Sequence, residues 1–137
     1  MSKEFTGACL CGAIKFAVND EPSFQANCHC DECRRAGGGV YGSLAFVREE
    51  SLSITQGNPA SYEHLSDRGN TMTKQFCRDC GSQLFAWGSG ITGRRGIRIG
   101  VIDDASWFKP NANVYSCRKL PSTPLDPEVT AFDKMPG

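Results

Sequence analysis

Three things are missing from this chain: a long apolar run, a net charge and a leader-like start. No run of about 18 apolar residues occurs, and Met1-Ser2-Lys3-Glu4-Phe5 contains no apolar leader core. Both absences argue against membrane spanning and secretion, so the expected compartment is the cytosol. Lys+Arg and Asp+Glu stand at 15 each, for a formal net charge of +0. Without a basic stripe the chain lacks the electrostatic footprint for nucleic acid or an anionic membrane. Two enzyme classes fall for want of their motifs. A zinc deaminase needs H-x-E ahead of P-C-x-x-C, yet His29 is followed by Cys30-Asp31 and Cys77 is preceded by Phe76. A thioredoxin-like role for Cys77-x-x-Cys80 lacks the βαβ setting.

Cysteine is abundant, with eight in 137 residues. In a reducing compartment such a number points to metal ligands more than to disulfides. Seven fall in three clusters: Cys9-x-Cys11, Cys28-x-Cys30-x-x-Cys33 and Cys77-x-x-Cys80. Neighbours this close are poor disulfide partners for one another but natural ligand pairs. On an extended chain residues i and i+2 point the same way, so Cys9 and Cys11 can present both sulfurs to one ion. Cys77-x-x-Cys80-Gly81 does the same from a tight turn whose glycine suits positive φ. Two pairs make a closed four-cysteine site, the structural zinc pattern, closing a loop of ~65 residues.

The cluster of three is left over. Three protein ligands with a vacancy is the layout of a working zinc, whereas a fourth protein ligand would make it a second structural site. Cys117 and His29 are the candidates for that fourth position, although His29 alternates in direction with its flanking cysteines. Three thiolates make the metal a weak Lewis acid and a poor activator of water. A soft ligand such as another thiol suits the site better, held as a nucleophilic thiolate.

The remaining pattern predicts one all-β domain over residues 1–137. Strands are expected over 12–18, 24–28, 40–47, around Leu52 and Ile54, 62–65, 71–76, 84–87, 96–101 and, as the last, 113–117. Ser66 to Asn70 reads as a hairpin loop, Asp31 to Ala36 as one or two helical turns closed by Gly37-Gly38-Gly39, and Asp103 to Phe108 as a single helical turn. From about residue 120 the prolines predict an extended tail.

The order G-x-C-x-C-G (Gly7 to Gly12), C-H-C-x-x-C-R (Cys28 to Arg34) and F-C-x-x-C-G-S (Phe76 to Ser82) resembles the glutathione-dependent formaldehyde-activating enzyme family, which includes the centromere protein V type domains. The resemblance runs from about Gly7 into the tail. It implies an Mss4-like zinc-binding fold of short antiparallel strands with one short helical turn. Two zinc sites are implied: a structural one at Cys9, Cys11, Cys77 and Cys80, and a second at Cys28, Cys30 and Cys33. The implied activity is that of a carbon-sulfur lyase, reversibly joining glutathione and formaldehyde as S-hydroxymethylglutathione. Glutathione carries two carboxylates, which makes Arg34, Arg35, Arg94, Arg95 and Arg98 candidate partners. Trp87 and Trp107 read as core or rim. A non-catalytic interaction domain on the same fold is the competing reading.

Overall fold

A computed structural model of the chain describes residues 4–136. Met1 to Lys3, where the leader was sought, and Gly137 lie outside the described residues. The elements in chain order are β1 (Phe5–Ala8), β2 (Lys15–Val18), β3 (Phe24–Cys28), α1 (Asp31–Gly37), β4 (Gly42–Arg48), β5 (Leu52–Gln56), β6 (Ala60–Leu65), β7 (Thr71–Phe76), β8 (Gln83–Gly88), β9 (Arg94–Arg98), β10 (Ala112–Val114) and β11 (Thr130–Ala131), with short 3-10 turns at Glu49–Ser51, Ile99–Val101 and Ser116–Arg118. They form a three-stranded sheet, β1-β2-β5, and an eight-stranded sheet, β11-β10-β3-β4-β9-β8-β7-β6. The all-β class holds.

Alternation along the strands of the large sheet divides its side chains between two cores. On one face Val47, Phe85 and Ile97 pack against Ile14, Phe16 and Val18 from the small sheet and the turn before it. The rings of Phe16 and Phe85 meet edge-on at 5.0 Å and join the two sheets. On the opposite face Cys28, Leu44, Ala86, Ala112 and Val114 form a second core, covered in part by Tyr115, Phe132 and Met135 from the C-terminal segment. The three-cysteine cluster belongs to this second face.

Several boundaries differ from the sequence expectations. Gly12, at φ 80°, turns the chain so that β2 begins only at Lys15. β9 stops at Arg98 because Ile99–Val101 closes a 3-10 turn, with the Ile102 N–H donating to the Ile99 carbonyl at 3.1 Å. Between Asp103 and Phe108 there is a turn rather than a helix, closed by the Phe108 N–H on the Ala105 carbonyl. The strand expected over 113–117 is limited to Ala112–Val114, since Tyr115 takes φ 54° and leads into a 3-10 turn. It is also not the last strand, because β11 follows. β10 runs parallel to both β3 and β11, so the large sheet is mixed rather than wholly antiparallel. Among the described residues no helix is long and apolar enough to cross a membrane.

Candidate metal centres and functional site

The four-cysteine group is built from two turns. Cys9, Leu10 and Cys11 are not extended, as the sequence reading had them: the Gly12 N–H donates to the Cys9 carbonyl at 3.1 Å, and the Ile14 N–H donates to the Cys9 sulfur at 3.2 Å. Facing it, the Gly81 N–H closes on the Cys77 carbonyl at 2.8 Å, with Gly81 at φ 79°. Ser82 links the two turns by accepting the Leu10 N–H at 3.0 Å on its hydroxyl oxygen. Cys9, Cys11, Cys77 and Cys80 thus bring their sulfurs within 4.8 Å of one another. Neighbouring sulfurs lie 3.7 Å apart at both Cys9–Cys11 and Cys11–Cys77. A tetrahedron with zinc–sulfur arms of 2.3 Å has edges of about 3.8 Å, so the donor set fits one zinc ion. The Ser82 hydroxyl and N–H hold the Cys80 thiol down at about 5, which prepares a thiolate for a cation.

The three-cysteine group is local. Cys28 ends β3 and Cys30 caps α1, its sulfur accepting the Cys33 N–H at 3.3 Å. The three sulfurs lie within 4.8 Å of one another, with Cys28 and Cys30 at 3.3 Å, so they could hold a metal ion after opening by about half an ångström. Among the described residues no fourth His, Cys, Asp or Glu joins them. Cys117 is exposed on the 3-10 turn after β10. His29 is 1 % exposed; its Nε2 meets Asn113 Oδ1 at 3.2 Å and its ring packs on Tyr41. The structure brings neither candidate for the fourth corner into the group.

Hydrogen bonding from Cys28 and Cys30 holds the Cys33 thiol well below its ordinary range against the cost of burial, aided by the charges of Arg98 and Lys74. The same bonds, seen from the other end, keep the proton on Cys28 and push its thiol up. Of the candidate arginines, Arg34 pairs with Asp31 at 2.8 Å, while Arg95 pairs with Glu49 at 2.8 Å and lies 3.8 Å over the Trp87 ring. Arg35 is exposed, and Arg94 opens β9 opposite Arg48 at the end of β4 away from Cys28. Arg98 alone of the five is buried beside the three-cysteine group.

Sequence reasoning missed two residues near this group. Lys74, 7 % exposed, places Nζ 2.7 Å from His64 Nε2 on the neighbouring strand. Tyr115, in its left-handed conformation, packs on the second core and donates its hydroxyl to Asp67 at 2.8 Å. A lone lysine or tyrosine in a strand-like stretch carries no sequence signal of such a place. Cavity volume does not mark the site either: one cavity of about 290 Å³ borders Cys77 and Arg78, another of about 200 Å³ lies against β1, β2 and β5, and neither touches Cys28, Cys30 or Cys33. The donor chemistry is the better guide.

Residues 4–118 match the family described as glutathione-dependent formaldehyde-activating enzyme. The chain belongs to this family. Similar members of the formaldehyde-activating family include a Penicillium rubens protein that carries the family's name provisionally, 23 % identical over 105 residues, covering 74 % of this chain and 54 % of that protein. A Halomonas elongata protein with the same provisional name is 33 % identical over 91 residues, covering 59 % and 54 %. An uncharacterized lyase of Schizosaccharomyces pombe is 32 % identical over 89 residues, covering 64 % and 61 %. This chain therefore spans little more than half the length of the curated relatives it matches. A crystal structure of a Rhodobacter sphaeroides protein superposes with a TM-score of 0.58 at 25 % identity, covering 72 % of this chain and 87 % of that one.

Proposed function

We propose that the chain works as one domain that reversibly joins a glutathione-type thiol to a small aldehyde at Cys28, Cys30 and Cys33, with Cys9, Cys11, Cys77 and Cys80 holding a structural zinc. The observation that carries this reading is the gathering of three sulfurs with no fourth ligand from the described residues. Family membership supports this class of substrates and this reaction.

Zinc bound to the three cysteines would favour the thiolate form of a sulfur ligand. The chain's own part is to position and to polarise. Cys30, half-buried, leaves the cluster reachable, while Cys28 and Cys33 fix it to β3 and α1. Arg98 and Lys74 place two positive charges where a thiolate is wanted. In the reaction the thiolate sulfur bonds to the carbonyl carbon, the π pair of the C=O bond moves to oxygen, and that oxygen takes a proton from water to give the hemithioacetal. Reversal releases both partners. Because this addition also occurs in buffer, the contribution of the protein is thiolate population and orientation.

The test is the exchange rate between free formaldehyde plus glutathione and their adduct, measured by NMR at equilibrium. The zinc-loaded protein should raise the rate over buffer and Cys30→Ser should return it to the buffer value. A wild-type rate equal to buffer would select the non-catalytic interaction domain instead.

A further inference from the structure

Arg98 ends β9 directly across from Leu44 of β4, and its side chain runs along the sheet face toward Gly42, the residue paired with Cys28. A methyl group built on Gly42 would lie 2.6 Å from Arg98 Nη1 and 3.4 Å from Cys33 Cβ. The absence of a side chain at Gly42 thus lets the guanidinium pack directly against the strand, beside Cys33. Arg98 is 6 % exposed, and its Nε, Nη1 and Nη2 find no hydrogen-bond partner among the described residues. Among the described residues no other side chain has so many buried nitrogens without an acceptor. Leaving a buried charged donor unsatisfied is costly, and the planar fork of an arginine matches the two oxygens of a carboxylate.

We propose that Arg98 forms a carboxylate subsite beside the three-cysteine cluster, selecting adducts in which the carbon bonded to the visiting sulfur also bears a carboxylate. Closeness to Cys33 sets the short tether. The inference rests on the preceding reading of an open corner and adds a preference for ligands with such a carboxylate, which the adduct of glutathione and formaldehyde lacks. The carboxylate can arrive on the thiol, as in mercaptoacetate, or on the carbonyl partner, as in glyoxylate, whose addition to a neutral thiol yields the same S–C–COO⁻ arrangement. In the second case the thiolate sulfur bonds to the aldehyde carbon, the C=O π pair goes to oxygen, and water supplies the proton.

Cobalt(II)-loaded full-length protein reports sulfur ligation through its visible charge-transfer band. Titration with mercaptoacetate and with its neutral analogue 2-mercaptoacetamide should show mercaptoacetate binding about 10- to 100-fold tighter, with the preference falling below about 3-fold in Arg98→Met. In a parallel arm, glyoxylate should tighten the binding of ethanethiol where acetaldehyde does not. A preference in the first arm assigns the carboxylate to the thiol, and one in the second assigns it to the carbonyl partner. Equal binding of charged and neutral ligands in both arms, or a preference that survives in Arg98→Met, overturns the subsite alone. Absence of any spectral change with every thiol overturns the open corner and the subsite with it. Should Arg98→Met not fold, Gly42→Ala displaces the guanidinium and should show the same loss of preference.

Discussion

Cys77→Ser and Cys30→Ser should part company in a thermal melt. Cys77 is 1 % exposed and belongs to the first core, and its sulfur meets that of Cys11 across 66 positions of sequence. A cross-link over that span removes loop entropy from the unfolded chain worth about 4 kcal/mol, on the scale established for disulfides. For a chain of this length that loss lowers Tm by roughly 10–15 °C, and chelating the metal from the wild type should do at least as much. Cys30 joins only near neighbours in sequence and is half-buried. Its replacement should shift Tm by less than about 5 °C. The assay is a circular dichroism melt of zinc-loaded protein, with stoichiometry checked by metal analysis. Equal shifts for the two variants would refute the division into a folding clip and a working site.

Phe16→Ala should cost about 3–5 kcal/mol in urea unfolding, since it empties the edge-on contact with Phe85 that joins the sheets; a loss below 1 kcal/mol would mean that the sheets are held otherwise. The Tyr115 hydroxyl, followed by Lys134, holds the Asp67 carboxyl below its ordinary value of 3.8. A depressed carboxylate stabilises fully above its unfolded value, and that contribution fades as pH falls through the folded one. The link from the β6–β7 loop to Tyr115 should therefore persist at neutral pH and loosen below about pH 4, seen as lower amide protection, relative to the intrinsic exchange rate at each pH, over residues 66–70. Asp67→Asn should show low protection at both pH values, and a loop insensitive to either change would refute the link.

What the sequence showed most plainly was what depends on near neighbours. Cysteine spacing announced both clusters, and Phe24 to Cys28 read correctly as the strand delivering the second. Alternation misled where it continued by chance: Ile97, Ile99 and Val101 look like one strand, but the chain turns after Arg98. The strand expected over 113–117 starts one residue earlier and ends three sooner, Thr130-Ala131 carries too little pattern to announce a strand, and the parallel pairing of both depends on partners far away in sequence. The burial of Lys74 and Arg98 follows from which strands lie side by side, information that composition does not hold. Arg98 was visible only as one of several basic residues, and its isolation from acceptors emerged from packing.

The side chains that roof the second core, Tyr115, Phe132 and Met135, all come later in the chain than both cysteine groups. A ribosome therefore finishes every sulfur donor of the two groups before it makes the cover. While the chain is nascent the second core therefore lacks this part of its cover, and the sulfurs beside it are most open before the C-terminal segment packs.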